Sequence, residues 1–395
     1  MWSAYICDTM TGLLRSPIDI PSFSWSMSIS DSSLSTTRDK GTGEGEASSI
    51  TVPWSAVPAD TPAERESILS ADRRAIALFW RTGEDGDGMG VPILFGAIGQ
   101  RTDSAVDTTF SMSSVLSILD SRIAVREGAY GRGGVTRDTL SYTGLSFRAI
   151  ASALGQLCTG QKPGGSLPID WAYSGEAGTH DRTYNSYDCG NNSCKRLLDN
   201  LTNVQGGPDM QFRPYLADSQ HVRISFLAGS DADIYLGQDT VHRLSWFPGG
   251  GDIDNLTVDR LGAISRYYGS GAGSEAEQLA YLAQDTTLQS IRDPYPLMEA
   301  VYSATDDESM PVLKGHTDAM LDANKRPLMQ IKGEINANDA AIPLGQIWPG
   351  QVVELAIDGF PTLADGVYTT RLMQMTGSES ATIELTFDVM QATIF

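Results

Sequence analysis

Cysteine and histidine are scarce in this sequence, which limits disulfide and metal chemistry. The chain has four cysteines and four histidines in 395 residues. So few cysteines exclude a disulfide scaffold. Cys189 and Cys194 form a Cys-x4-Cys pair with His180 nearby, but a structural zinc site needs a second pair of ligands. We expect either a disulfide that closes a tight loop or two reduced thiols, with Cys194 in the core.

The sequence also lacks a long apolar run and a secretory signal. Its longest apolar stretch is 91–98, far shorter than the ~20 residues that span a bilayer. The first eight residues have neither a basic region nor an apolar region of the kind that starts a signal peptide. We therefore expect a protein made in a cytoplasm, with no membrane anchor.

Basic residues are few compared with acidic ones. The chain has 28 Lys and Arg against 49 Asp and Glu, a net charge of −21. Most nucleic-acid affinity comes from cations that neutralise phosphates, so a surface with this balance repels nucleic acid. It also disfavours an anionic membrane surface. Solubility alone explains an acidic surface, and a lumen through which DNA passes without sticking would have the same composition.

The motifs of common enzyme classes are missing. The sequence contains neither a G-x-S-x-G nucleophile turn nor a G-x-x-x-x-G-K-[ST] phosphate loop. Two carboxylates about 5–10 Å apart define a glycosidase site, and no pair stands out. The histidines occupy unrelated contexts, typical of surface or hydrogen-bonded side chains: His180, His221, His242 and His316. We therefore predict no catalytic, cofactor-binding or metal-binding residue, and hence no enzyme.

Two glycine-rich segments have weak alternatives as ion sites. Segment 269–273 (G-S-G-A-G) would bind an anion only at a helix N-terminus, and the acidic Glu275 and Glu277 nearby favour a flexible turn. Segment 83–88 alternates glycine with acidic residues but lacks the ligand spacing of an EF-hand. We interpret it as a hairpin tip or an exposed loop.

The 40 glycines and the many Ser and Thr residues favour strands and turns. Phe23, Trp25, Met27 and Ile29 alternate with serine, which predicts a strand with one apolar face. Segment 112–123 fits a helix or a strand. A polar turn at 377–380 predicts a hairpin between its flanking strands. Further strand candidates are 49–54, 75–80, 91–98, 353–357, 366–375 and 382–390.

Helical spacing appears in the middle of the chain. Phe147, Ile150, Leu154 and Cys158 predict a helix that ends at Gly160. A second helix is predicted over 194–201 with Ser193 as N-cap, followed by strands at 210–215 and 221–227. A Ser274–Glu277 capping box predicts a third helix over 275–292, ended by Pro294. A fourth is expected over 311–324.

Together these patterns predict a β-rich α+β fold. Two small β-barrel domains are expected, with an α+β insertion domain and a helical connection. The predicted domains are 1–140 (β-barrel-like), 141–236 (α+β insertion), 237–326 (mixed connection) and 327–395 (part of a C-terminal β-barrel, completed by strands from 237–270). A chain of 395 residues is long enough for about two to four domains.

Several segments, taken in order, resemble minor tail proteins of long-tailed phages that infect actinobacteria. The opening segment is similar to their first strand, and the next to their alternating strand with Trp. The middle segments resemble their helix-then-strand region, and the last ones their terminal barrel. The segments are Ala4–Gly12, Phe23–Ile29, Cys194–Asn203, Gly207–Pro214, Trp348–Leu355, Gly366–Leu372 and Ile383–Phe387.

The resemblance implies a tail hub, or baseplate hub, in the virion tail tip. Such hubs form a homotrimer whose paired barrels build a ring of six around the tail channel. The ring adapts the sixfold tail tube and distal tail protein to the threefold tip or fibre. Implied partners are the distal tail protein, the tape measure protein and central fibre or tip proteins, with genomic DNA passing through the lumen without specific binding. No catalytic residues are implied.

Two other functions remain open at this stage. A carbohydrate-binding adhesive tail protein would have exposed aromatic residues along one groove, with these candidates: Trp171, Tyr173, Tyr184 and Tyr187. A cell-wall hydrolase would have a close pair of carboxylates with perturbed pKa values in a cleft.

Overall fold

A computed structural model describes residues 1–35, 49–82, 88–237, 239–274, 277–304 and 309–392. The fold is β-rich α+β, with 44% strand, 18% helix and a sheet curled into a half-barrel. This confirms the predicted fold class; the finer prediction of two separate barrels stays a prediction. The chain divides into two compact units, residues 1–254 with 334–385, and residues 255–333 with 386–395. The domain borders predicted from the sequence stay predictions.

The first part of the chain is mostly strand. Serine at position 114 ends one strand and caps the following helix through its hydroxyl, which settles the ambiguity of segment 112–123. The elements are β1 (Trp2–Asp8), β2 (Leu14–Ile18), β3 (Ser24–Ser28), β4 (Ser32–Ser35), β5 (Ser49–Pro53), α1 (Pro62–Ile68), β6 (Arg74–Trp80), β7 (Val91–Asp103), β8 (Asp107–Ser114) and α2 (Val115–Asp120).

The middle of the chain contains the two helices expected there. Ser146 and Ser193 cap their first turns by accepting backbone N–H bonds. Ten of the thirteen residues of the first helix are buried. The elements are β9 (Thr139–Leu145), α3 (Phe147–Thr159), β10 (Ile169–Trp171), β11 (His180–Asn185), α4 (Cys194–Thr202), β12 (Met210–Leu216) and β13 (Val222–Ala228).

The last part returns to strands around one long helix, which confirms the helix expected over 311–324. The elements are β14 (Val241–Phe247), β15 (Gly250–Gly251), β16 (Asp254–Leu261), β17 (Arg266–Ser270), β18 (Ala280–Gln284), β19 (Glu299–Ser303), α5 (Met310–Asn324), β20 (Leu328–Asn336), β21 (Val352–Ile357), β22 (Gly366–Ser378) and β23 (Thr382–Gln391).

The helix predicted over 275–292 is wrong. Its described residues form β18 and a short 3-10 helix, Thr287–Gln289, and residues 275–276 lie outside the described part. Tyr281 and Ala283 alternate with the more exposed Ala280, Leu282 and Gln284, and pairing of β18 with β17 decides for the strand. The backbone N–H of Glu277 donates to the Ser274 carbonyl at 3.1 Å. Tertiary pairing therefore overrides the capping-box signal.

Two main sheets organise the first unit. One is antiparallel, in the order β2-β1-β6-β7-β8-β5, and every residue of its strand β6 is buried. The other runs β15-β14-β21-β22-β23-β20, with β3 beside β22 and β4 beside β3. Its adjacent β22 and β23 confirm the predicted terminal hairpin. The alternation of β3 places Trp25 and Met27 inside, and Met27 lies opposite Met375.

The core of the first unit joins the antiparallel sheet to the helices of the middle region. Phe79 and Phe95 from the sheet belong to the same buried cluster as Leu154 of α3, Leu197 of α4 and Phe226 of β13. Each fully buried side chain of this size contributes about 1.5–3 kcal/mol. Because these residues come from distant segments, the core fixes the β10-β13-β12 sheet in place.

The second unit is a mixed three-stranded sheet packed on a helix. Its order is β18-β17-β19, with β17 antiparallel to β18 and parallel to β19. Tyr267 and Ala283 of the sheet form a small core with Leu321 of α5. Strand β16 lies next to β20. Among the described residues, no helix is long and apolar enough to cross a membrane.

Candidate functional site

A groove in the first unit, here named the Arg213 groove, is the candidate site with the most defined chemistry. Neighbouring positions of β12 and β13 bring together Arg213, Ser225 and Leu227. Val91 and Trp348 line it as well. Its volume is about 470 Å³, within the usual range of about 300–1,000 Å³ for ligand pockets.

The loop that carries Trp348 is fixed by its own hydrogen bonds. The Trp348 backbone N–H donates to Gln351 Oε1 at 2.7 Å, and its indole Nε1 donates to the Gly345 carbonyl at 2.7 Å. Gly345 has a φ of +95°, and a Cβ there would lie 2.6 Å from Val91. Only glycine therefore allows this loop to approach Val91.

Arg213 is half-buried and has no ion-pair partner among the described residues. Its Nε donates to Gln211 Oε1, and its guanidinium lies 5.3 Å from the Trp348 ring centroid. In the part of the chain that the structure describes, no carboxylate pairs with it. Burial lowers the pKa of Arg213 to about 10. The half-buried Arg148 and Arg371, in contrast, each hold a carboxylate.

A second surface of interest is the outer face of the sheet in the second unit. Tyr268 lies opposite both Leu282 and Val301. These three side chains are 42%, 42% and 68% exposed. The result is a continuous apolar row across three strands.

The rows on either side of it carry no net charge. On one side, Arg266 pairs with Glu299 at 3.3 Å, and the Tyr268 hydroxyl donates to Glu299 at 3.0 Å. On the other side lie Ser270 and its two small neighbours, Ala280 and Ser303. In a chain with a net charge of −21, this face is electrically neutral.

The structure shows whether Cys189 and Cys194 form a disulfide. Cys189 lies in a 3-10 helix, Ser186–Asn191, and Cys194 begins α4. Both are free thiols, and Cys194 is buried. The Cys158 thiol and burial raise the pKa of Cys194 well above its usual value. Within the described ranges, no cluster of three or more His, Cys, Asp and Glu side chains is arranged for a metal.

The four histidines lie apart in the fold. His180 stacks on Phe147 with ring centroids 3.6 Å apart and lies 3.3 Å from Asp231. The other three have neighbours at hydrogen-bonding distance: His221 with Asp218, His242 with Gln351, and His316 with Tyr302.

The structure describes one of the two glycine-rich candidate ion sites more fully than the other. Gly269 is part of β17, and its missing side chain makes room for Thr317 of α5. Residues 275–276, where a helix after 269–273 would begin, lie outside the described residues, so the anion-site alternative stays untested. Residues 83–87 of the other segment lie outside the described residues.

The four aromatic candidates do not share one groove. Trp171 and Tyr173 pack against Phe226 in the core of the first unit. Tyr184 is half-buried beside Tyr142, and Tyr187 is 68% exposed.

The sequence patterns did not identify Arg213 or the apolar row at Tyr268 as candidate site residues. The available signals were the resemblance segments that contain Arg213 and Trp348, and the alternation in 280–284.

Comparison with solved structures finds phage tail proteins of similar fold. The 43 kDa tail protein of prophage MuSo2 from Shewanella oneidensis aligns with a TM-score of 0.50 and 8% identity, covering 98% of each chain. A tail protein from Neisseria meningitidis aligns at 0.47 and 11%, covering 98% of this chain and 96% of that one. An E. coli component of the type VI secretion system, described as structurally similar to T4 tail proteins gp27 and gp5, aligns at 0.42 and 12%, covering 96% and 75%.

The fold assignment depends on the similarity to the Shewanella protein, which has the highest TM-score of these three structures. No protein-family model and no curated protein matches the chain. The chain therefore shares the fold of a phage tail protein, and the resemblance to actinobacterial phages in particular stays a prediction.

Proposed function

We propose that this protein is a structural subunit of a phage tail, with the role of a tail-tip or baseplate hub. The observation that carries the proposal is the fold shared with a prophage tail protein over 98% of both chains. The similarity covers both units, which supports one structural role for the described chain. The proposed role is assembly, without a catalytic residue, cofactor or metal.

The proposed hub is a homotrimer around the tail channel. It would connect the sixfold tail tube and distal tail protein to the threefold tip or fibre, in contact with the tape measure protein. The exposed row Leu282–Tyr268–Val301 supports an assembly role, because contiguous apolar patches on a protein surface commonly mark interaction sites. Closed cyclic symmetry is usual for such homo-oligomers.

The acidic composition suits a channel for DNA. A subunit with a net charge of −21 offers few cations to neutralise phosphates. Genomic DNA is therefore proposed to pass through the lumen without specific binding.

Labelling of intact particles tests the proposed position. The gene is replaced by a version with a short exposed tag, and gold-conjugated antibody is located on virions by electron microscopy. One cluster of label at the end of the tail distal to the head supports the hub assignment. Label spread along the tail, or located at the head, would contradict it.

A further inference from the structure

The Arg213 groove contains a cation whose energetic cost is not offset within the chain. Moving a charge out of water is costly unless a paired charge or hydrogen bonds compensate for it. Arg213 has one partner through Nε, the Gln211 side chain, and its two terminal nitrogens have none among the described residues. Its stacking on Trp348 contributes about 0.5–2 kcal/mol but satisfies no N–H group.

The residues that line the Arg213 groove determine which chemical group fits beside the guanidinium. The two terminal nitrogens of a guanidinium match the two oxygens of a carboxylate. Val91, Pro92 and Leu227 make the surroundings of the cation apolar. A side chain that fills this groove therefore presents a carboxylate with aliphatic or aromatic groups next to it.

We infer that the Arg213 groove receives a carboxylate-bearing apolar segment from a second copy of this chain. This inference rests on the proposed self-assembly and names one of its contacts. Charge complementarity points to a copy of the chain, because each copy has 49 acidic residues against 28 basic ones and so presents many carboxylates without a cation. A cyclic trimer uses the same pairing three times, since its interfaces are heterologous.

The groove also explains why an unpaired arginine is tolerated. In the free chain, the partial burial of the unpaired Arg213 guanidinium is energetically unfavourable. In the assembly, the guanidinium donates a charge-assisted hydrogen bond to a carboxylate in an apolar setting. Removing one partner of such a buried pair reduces affinity by more than about 30-fold. Arg213 should therefore matter little for folding and strongly for association.

The first test measures association and folding separately. Arg213→Met keeps an apolar stem and removes the charge. The matched control is Arg65→Met, because Arg65 is another half-buried arginine near a tryptophan, 5.5 Å from the Trp54 ring. We expect Arg213→Met to weaken trimer formation by at least about 30-fold in sedimentation equilibrium, with a melting temperature of the monomer equal to or above that of wild type. Arg65→Met should associate like wild type.

The second test identifies the occupant. Arg213→Lys places an amine in the groove, and a carbodiimide joins an amine to a carboxylate in direct contact. Copies grown with light and heavy nitrogen are mixed before cross-linking, so that mass spectrometry separates contacts between copies from contacts within one. We expect light–heavy peptides that join Lys at position 213 to one Asp or Glu.

Three results with the protein on its own would overturn the inference. They are unchanged association of Arg213→Met, cross-links at position 213 only within one copy, and a wild-type chain that stays monomeric at every concentration. Unchanged association of a trimeric Arg213→Met rejects the groove and leaves the hub assignment intact, whereas gold label away from the tail tip rejects the hub itself. Cross-linking only to a different tail protein would likewise replace the second copy as the occupant.

Discussion

Arg371 of β22 forms an ion pair with Asp209, just before β12, and so connects the terminal sheet to the middle of the first unit. The two side chains are 15% and 16% exposed. Arg371 also donates to the Gly350 carbonyl at 3.1 Å and lies 4.3 Å from the Tyr235 ring. Asp209 accepts the Leu236 backbone N–H at 3.2 Å. The pair is thus part of a largely satisfied network.

Replacing one member of this pair should be strongly destabilising. Arg371→Met leaves Asp209 as a poorly compensated buried charge, which costs about 3 kcal/mol. Urea denaturation measures the loss of unfolding free energy. Arg243→Met is the control, because Arg243 is 82% exposed in its pair with Glu354 and such surface pairs contribute about 0–1 kcal/mol. Equal stability of the two variants would contradict the role given to Arg371.

Two helical glycines should respond to alanine in opposite directions. In α3, a Cβ on Gly155 would lie 2.2 Å from the Trp171 ring, whereas in α5 nothing lies within 4 Å of one on Gly315. Gly155→Ala forces Trp171 to move, and such overpacking costs about 1–3 kcal/mol. Gly315→Ala stabilises the exposed helix by about 0.5–1 kcal/mol. Thermal unfolding of both variants checks the signs, and a stabilised Gly155→Ala would reject the packing of α3 on Trp171.

Stability in acid should depend on Glu176. Arg148 donates to its two carboxylate oxygens at 2.6 and 2.5 Å and holds the pKa of Glu176 at about 2. Because the folded pKa lies below that of an unfolded glutamate, about 4.3, the contribution is complete above that pH and is lost as the pH falls toward 2. Melting temperatures of wild type and Glu176→Gln should therefore converge as the pH falls from 5 to 2. Parallel curves would contradict this.

The thiols should differ in reactivity. Cys7, Cys158 and Cys194 are buried, whereas Cys189 is partly exposed. Burial raises the pKa of Cys7 to about 12, and the thiolate is the reactive form. Alkylation of the folded protein at pH 8, followed by mass spectrometry, should modify Cys189 first. Alkylation of Cys194 at the same rate, or a disulfide between Cys189 and Cys194, would contradict the arrangement.

Local patterns predicted those elements whose signals come from neighbouring residues. The spacing of Phe147, Ile150 and Leu154 predicted α3, and the serine–apolar alternation around Trp25 predicted β3. The helix expected over 275–292 was wrong because the same residues fit a strand once β17 lies beside them. Sequence periodicity alone does not contain that information.

The sequence alone did not predict which segments far apart in the chain lie next to each other. Nothing local shows that β3 lies beside β22, more than 300 positions later. The Arg213 groove likewise combines Val91, Leu227 and Trp348 with Arg213. The sequence contained the resemblance to phage tail proteins, but only the folded chain shows that Arg213 lies in an apolar groove with no carboxylate partner among the described residues.

The most direct test of the trimeric hub is the mass of the purified wild-type protein in solution as a function of concentration, by light scattering, with averaged electron images of the oligomer. We expect a trimer of the 42.5 kDa chain, seen as a closed ring with a central channel. A chain that remains monomeric at every concentration, alone and with its distal tail protein, would contradict it.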